Sequence, residues 1–399
     1  MDLLQSKVYS EILLREDSAS GRMVQALVSG PRAKLVHCIR YSPRDPQPIY
    51  ETRKISPDDD DSEENGGHDP SIKLSPETQN VLQSLHLFSN LDTFRFRLEG
   101  NEEEWNLEEW PQQHDHFAGY ADEYNPMDEE DEPWRKLLND SLAALSASAG
   151  AFDKLEIYHL PPIPPEMGSY STFRTPAWSA LLGNLTSLDI QLVETAENYA
   201  TGNMTRVHGE FLSGLGETIL GHLSAVEHLR VAGRRDACIA GCYYDDPLLW
   251  SSLRMPRLKV WEVEWARAED EVAGFIRNHS SSLERVSLKH CFANSRYAWW
   301  SLFNTIHESN PTELIEFEVI PVGPEYFRDE DNSDSRRFPG VFVNESYGDL
   351  QLQSQSDEED EQDDEDEENK VDKSSVLAKL ANVHDMANRN RSTAKPSYM

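Results

Sequence analysis

The sequence predicts an α/β chain built as a right-handed solenoid of strand and helix units with parallel strands, and three observations predict it. The first is a signature: an apolar residue, a second three positions later and a third two after that, carried by Leu258, Trp261 and Val263 and repeated by Leu283, Val286 and Leu288. The second is the segment between these copies, where Ala268, Val272, Phe275 and Ile276 fall at helical spacing, whereas the last two residues of each signature alternate as a strand does. The third is recurrence: Val36, Ile39, Tyr41; Leu91, Phe94, Phe96; Phe152, Leu155, Ile157; Leu185, Leu188, Ile190; Val226, Leu229, Val231; and Leu314, Phe317, Val319 bring the total to eight. From Phe152 onward the first positions lie 33, 41, 32, 25 and 31 residues apart. Such a unit has about the length of a leucine-rich repeat and can bury its apolar side only against a copy of itself, so the expected fold is an irregular leucine-rich-repeat-like solenoid. Its hand follows from the right-handed preference of parallel crossovers.

Taken in order, residues 1–34 open with the apolar stretch Leu3–Leu14 and continue as an amphipathic segment to Pro31. Residues 42–74 carry prolines, Gly66-Gly67 and an acidic run near 56–70, the composition of a disordered insertion. Ser75 and Pro76 start a helix as N-cap and first-turn residue, turning Val81, Leu82 and Leu85 inward. After a strand over Leu91–Leu98 comes a second acidic insertion, 99–133, with Trp105, Trp110, Phe117, Tyr120 and Tyr124. It reads equally as a partner-binding loop or as a lid on the chain's own flank.

A helix over Leu137–Ala147 leads to a strand over Lys154–Leu160, which the prolines of 161–165 stop; the alternative reading of those prolines is a polyproline ligand for another module. Helices follow around Trp178–Leu182 and Phe211–Leu223, the latter with Phe211, Leu215, Ile219 and Leu223 as its core stripe. The last helix holds Trp299, Leu302, Phe303 and Ile306 and precedes the strand ending at Ile320. Phe338, Val341, Phe342 and Val343 are expected to form the end cap that a solenoid needs. The repeat domain then spans 1–355 and a disordered acidic tail 356–399, because eleven of the twelve residues Asp357–Glu368 are acidic. In that tail Val376, Leu380 and Val383 are spaced for a short helix formed on binding a partner, and deleting Ser356–Met399 is expected to leave the melting temperature unchanged.

Composition excludes several function classes. A chain of 399 residues with 38% hydrophobic content can bury a large core. Its net charge of −35 argues against nucleic acid, which needs a basic face. The four cysteines, Cys38, Cys238, Cys242 and Cys291, are too scattered for a secreted disulfide framework. Without a basic start and long apolar run, or any run of 18 apolar residues, the expectation is a cytoplasmic or nuclear protein that engages no membrane. Cys238-x3-Cys242 and His114-Asp115-His116 lack further ligands at metal-site spacing, and phosphate-loop, nucleophile-elbow and His-Glu-x-x-His patterns are absent. Neither an enzyme, a cofactor nor a metal is expected.

Two N-terminal segments carry a resemblance. Lys7-Val8-Tyr9-Ser10-Glu11-Ile12-Leu13-Leu14 and the stretch Gly30–Tyr41, followed by irregular repeats to about residue 320, resemble fungal F-box proteins with divergent leucine-rich repeats. The resemblance implies that the repeats hold a protein substrate for a cullin-based ubiquitin ligase, while a preceding F-box docks on the ligase adaptor. No Leu-Pro-x-Glu-Leu-like opening stands before Leu3, so adaptor binding is expected only of a longer form that carries an F-box.

Alternation also places a binding face. In each rung the residue between the last two apolar positions, and the one after them, point out across the sheet. These are Arg40 and Ser42, Arg95 and Arg97, Glu156 and Tyr158, Asp189 and Gln191, Arg230 and Ala232, Glu262 and Glu264, Ser287 and Lys289, and Glu318 and Ile320. Basic early rungs and acidic later ones would orient a bound peptide with its acidic end near Arg95 and its basic end near Glu262. In the other reading neighbouring rungs neutralise one another, Arg230 with Asp189 or Glu262, and the outer loops bind. The candidate partner-binding residues are Arg95, Arg97, Glu156, Tyr158, Arg230, Glu262 and Glu264. The functional expectation is a non-enzymatic protein-binding scaffold of the F-box substrate-recognition kind, the alternative an acidic chaperone-like binder of basic proteins through its tail.

Overall fold

The computed structural model of the chain describes residues 9–43, 73–97, 133–160, 168–192, 206–233, 238–239, 248–293, 296–320, 341–344, 349–352, 371 and 373–393. The acidic insertions near 56–70 and 99–132, the prolines of 161–165, His114 to His116, Cys242, Phe338 and the acidic run 357–368 lie outside the described residues.

Nine strands form one open parallel sheet: β1 (Glu11–Leu14), β2 (Cys38–Tyr41), β3 (Thr93–Arg97), β4 (Lys154–Leu160), β5 (Ser187–Leu192), β6 (His228–Ala232), β7 (Val260–Glu264), β8 (Arg285–Lys289) and β9 (Glu316–Ile320). Their order in the sheet is their order in the chain. Parallel neighbours cannot be joined by a tight turn and need a crossover. Helices α1 (Ser18–Val28), α2 (Pro76–Leu82), α3 (Pro133–Ser146), α4 (Pro176–Asn184) and α5 (Arg206–Thr218) supply the first five crossovers. A 3-10 turn, Trp250–Ser252, lies between β6 and β7, and α6 (Asp270–Asn278) and α7 (Arg296–Ser309) supply the last two. The expected N-cap is present, Ser75 Oγ accepting from Thr78 N at 3.2 Å, and Thr175 caps α4 in the same way through Trp178 N.

All eight signatures are in register. Ile39, Phe94, Leu155, Leu188, Leu229, Trp261, Val286 and Phe317 are successive partners across β2 to β9, and Tyr41, Phe96, Ile157, Ile190, Val231, Val263, Leu288 and Val319 form the second row. Apart from half-buried Val319, both rows are buried in one core with the inner faces of the helices. A slip of one residue would turn a strand's whole row out to water, which fixes the register. Backbone carbonyls just before the strands extend the match. The carbonyls of Ser10, His37, Asp92, Asp153, Thr186, Glu227, Lys259 and Glu284 each accept two N–H groups from the following unit, at 2.8 to 3.2 Å.

Strand β1 was not expected. It is a ninth copy of the signature with Tyr9 in the leucine position, and Ile12 and Leu14 pair with Ile39 and Tyr41. Its helix α1 crosses α2 so closely that a Cβ at Gly21 would lie 2.6 Å from Thr78 N, and only glycine permits that approach. Thr78 Oγ1 ties the crossing to the end of β1 through the carbonyls of Arg15 and Asp17, at 2.8 and 3.0 Å. At the other end, Trp261, Trp250 and Phe275 pack ring on ring with centroids 4.5 to 5.5 Å apart. His279 below them donates from Nδ1 to Phe275 O at 2.8 Å and accepts Met255 N–H on Nε2 at 3.0 Å. Those two bonds need the neutral ring, and burial holds its pKa below the ordinary histidine value.

The C-terminal expectation is corrected. Residues Lys373–Thr393 form a helix, α8, packed on α7 and β9 of its own chain. Val376, Leu380, Val383, Met386 and Ala387 are buried, a stripe whose partner is internal. The end cap expected around Phe338–Val343 is therefore supplied by α8, while β10 (Val341–Asn344) pairs with β11 (Asp349–Leu352) in a separate antiparallel hairpin. Deleting residues 371–399 removes these five buried apolar side chains, the four larger ones each worth about 1.5–3 kcal/mol before ordering costs, and should lower the melting temperature by about 5–10 °C. An unchanged melt by circular dichroism would contradict the docking.

Candidate functional site

The residues that alternate with the buried rows stand on the opposite face of the sheet and are half-exposed on most strands. Across β1 to β9 the middle row reads Leu13, Arg40, Arg95, Glu156, Asp189, Arg230, Glu262, Ser287 and Glu318, each opposite the next. Neighbouring strands are about 4.8 Å apart, so a charge on one strand is answered or opposed on the next.

Most are answered. Glu11 on β1 lies 3.8 Å from Arg40 and 3.4 Å from Arg95, offsetting the one adjacent pair of like cations. Arg95 Nε donates to Glu156 Oε2. The Tyr158 hydroxyl reaches Glu156 at 3.1 Å and Asp189 at 3.4 Å, and its single proton serves one of them at a time. Arg230 donates from Nη1 to Asp189 and from Nη2 to Glu264, both at 2.9 Å. Lys289 Nζ donates to Glu262 at 2.9 Å, with His228 Nε2 3.3 Å from the same carboxylate, and Ser287 Oγ donates to Glu318 at 3.0 Å. A connected chain of polar contacts thus runs from Glu11 through Arg95, Glu156, Tyr158, Asp189 and Arg230 to Glu264.

Burial and pairing pull the pKa values in opposite directions. Burial pushes the Asp189 carboxyl above its usual range in spite of Arg230. At Glu262 burial also pushes upward, but Lys289 and His228 outweigh it and hold the carboxyl below the ordinary value. Burial, then the Asp189 and Glu156 charges, drive the Tyr158 phenol well above the usual tyrosine range, so it stays a neutral donor.

All seven sequence-predicted residues lie on this face, with Arg97 opposite Tyr158. Three details are corrected. The expected split between a basic and an acidic half does not stand, because Glu11 and Glu156 neutralise Arg95 from both sides. Arg230 is shared by Asp189 and Glu264, not by Glu262. Ser42 and Ala232 are buried: Ser42 lies past the end of β2, where strict alternation no longer holds, and Ala232 is the small last residue of β6.

Sequence reading also missed an aromatic pair at the strand ends. Trp265 and His290 directly follow β7 and β8, both adopt left-handed backbone with φ of 55° and 51°, and their rings stack at 5.2 Å. His290 Nε2 lies 3.9 Å from Glu264, which joins the pair to the charge chain. His159, at φ 62°, absorbs the extra residue of a bulge between β4 and β5. Bulky residues enter this region at a cost that the surrounding packing must hold, and the sequence cue was an aromatic immediately after a rung.

Chemically the face offers a row of paired cations and carboxylates, two arginines followed by two carboxylates on β2 to β5 and single donors and acceptors in turn from β6 to β9. Among the described residues no group of three or more His, Cys, Asp or Glu side chains is placed to hold a metal ion, and no helix is long and apolar enough to cross a membrane.

Removing one member of this chain should tell on stability. Arg230→Met leaves Asp189 and Glu264 without their cation and should cost about 1–3 kcal/mol in urea unfolding at pH 7. Arg40→Met, which loses one long contact of 3.8 Å, should cost less than about 0.5 kcal/mol. The Arg230→Met deficit should shrink as pH falls from 7 towards 4, since Asp189, already raised by burial, then sheds its unpaired charge by protonation. A deficit that grows on acidification would refute this assignment. Comparison of the chain with protein-family models, with curated proteins and with solved structures gives no match.

Proposed function

We propose that the chain is a non-enzymatic protein-binding scaffold: an irregular leucine-rich-repeat-like right-handed solenoid whose polar sheet face receives an extended segment of a protein substrate. The observation that carries this reading is that, among the described residues, the sheet is covered on one side. Parallel sheets are as a rule buried on both faces, yet here helices share a core with one face, and the other carries a register-matched row of half-exposed charges. The regular carbonyl ladder from Ser10 to Glu284 supports the repeat reading, since one backbone motif recurs in every unit. By its resemblance to F-box proteins, the chain corresponds to the part that holds the substrate of a cullin-based ubiquitin ligase, in the cytoplasm or nucleus.

The lateral ion pairs permit a clean test, because a pair can be reversed without being broken. Glu262→Lys combined with Lys289→Glu preserves an attractive pair at the same two positions while inverting the charge order shown to a partner. Proteins copurifying with the tagged parent chain are identified by mass spectrometry, and the affinity of the purified partner is then measured against the swap. The melting temperature should move by less than about 2 °C while affinity falls tenfold or more, since misplaced like charges across an interface cost kcal/mol. Unchanged affinity would remove β7 and β8 from the site, and histones as the dominant partners would favour the acidic binder instead.

A further inference from the structure

Among the described residues every crossover but one holds an α-helix; β6 and β7 are joined through the 3-10 turn Trp250–Ser252. The next helix holds that turn in place. A Cβ at Gly274 of α6 would lie 2.7 Å from Ser251 Cβ, so helix and turn touch directly. Side chains of α6 and its cap then grip the turn by its backbone: Glu271 accepts Ser251 N–H at 2.8 Å, Asn278 Nδ2 donates to Ser251 O at 2.7 Å, and His279 Nε2 accepts Met255 N–H at 3.0 Å. Trp250 packs beneath, in edge contact with Trp261 and Phe275.

The two ring bonds of His279 respond oppositely to a proton. Nδ1 donates to Phe275 O at 2.8 Å, a bond the imidazolium keeps, whereas a proton on Nε2 would set two donors face to face at Met255. The ring is 4% exposed, so water cannot replace the lost acceptor while the turn is closed. No carboxylate of the described residues lies at ion-pair distance to offset the charge: Glu271 is bonded to Ser251, Glu308 of α7 accepts from Asn304, and Glu262 and Glu264 of β7 are paired on the far face of the sheet. The C-terminal end of α6 favours a cation, but burial and then Arg254 of the turn outweigh it and hold the ring's pKa below the ordinary histidine value.

We infer that His279 is a proton-operated clasp: a second proton on its ring frees the crossover Trp250–Met255 from α6 and opens the Trp250 site over Trp261 and Phe275, with the sheet left in register. The bond to Phe275 O keeps the ring on the helix, so the turn is the part that moves. Local opening and protonation are linked, because the ring binds a proton more tightly once the turn is open. As pH falls below about 6.5, opening gains up to about tenfold per pH unit until the closed ring also takes the proton. Histidine places that window between neutral and mildly acidic pH. The clasp lies on the helical side of the sheet and is independent of what the polar face binds.

The test is amide hydrogen exchange on the full-length chain, read at single residues and corrected for intrinsic rates at each pH. Protection of the Met255 amide should fall by about threefold or more between pH 7 and pH 5.5, while that of Leu155 on β4 holds. His279→Gln keeps an acceptor near the place of Nε2 and cannot take a proton there, so its Met255 protection should agree at the two pH values within about twofold. Unchanged Met255 protection in the parent would overturn the proposal, as would an equal fall in parent and His279→Gln. A fall at Leu155 in step with Met255 would show global unfolding and overturn it too. Should His279→Gln fail to fold, the ring nitrogens of the parent are followed by NMR. They should show the Nδ1–H tautomer at pH 7 and gain the second proton over the range in which Met255 loses protection; a ring that stays neutral through that loss would overturn the clasp.

Discussion

A parallel strand of this chain can bury its apolar row only against the row of the next strand, so register between neighbours is the constraint on which the rest depends. With Ile39 opposite Phe94, and that pattern carried to Phe317, the helices have a continuous apolar floor to pack on. The same register decides the other face. Once the apolar rows are fixed, Arg95 must stand beside Glu156 and Arg230 beside Asp189, because alternation leaves no other place for them. Order on the polar face is therefore a consequence of burial on the apolar one.

A sheet face that the described residues leave uncovered sets an electrostatic problem. Side chains on strands about 4.8 Å apart face one another, and like charges directly opposite destabilise the pairing. The chain resolves this with shared partners: Glu11 serves two arginines and Arg230 serves two carboxylates. Individually exposed pairs of this sort contribute little, but a connected, half-buried series fixes rotamers along the whole track.

Much of the architecture was legible because its signal is periodic. Eight of the nine strands coincide with the apolar signature, and the outward positions followed from alternation. Strand β1 escaped because Tyr9 takes the leucine position, so the first unit opens without the leucine that marks most of the others. Helix α8 was visible as the stripe Val376, Leu380 and Val383, but its setting behind an acidic run suggested an external partner, and nothing local records that α7 and β9 would receive it. Lateral pairing was only half legible. Register gives which residues are opposite, whereas Arg230 bridging to Glu264 depends on side-chain reach along the diagonal. The left-handed backbone at Trp265 and His290 had no sequence cue of the usual kind, since neither is glycine or asparagine.

The central claim, one parallel register across the sheet, is tested most directly by disulfide trapping at β8 and β9. In the register described, Ser287 faces Glu318, and parallel neighbours have the Cα spacing a disulfide needs. The variant Ser287→Cys with Glu318→Cys should form that bond under mild oxidation, read by mass spectrometry of the digested protein, while Ser287→Cys with Glu316→Cys should not. Bonding at 316 in preference to 318 would contradict the register, and with it the assignment of which side chains share the polar face.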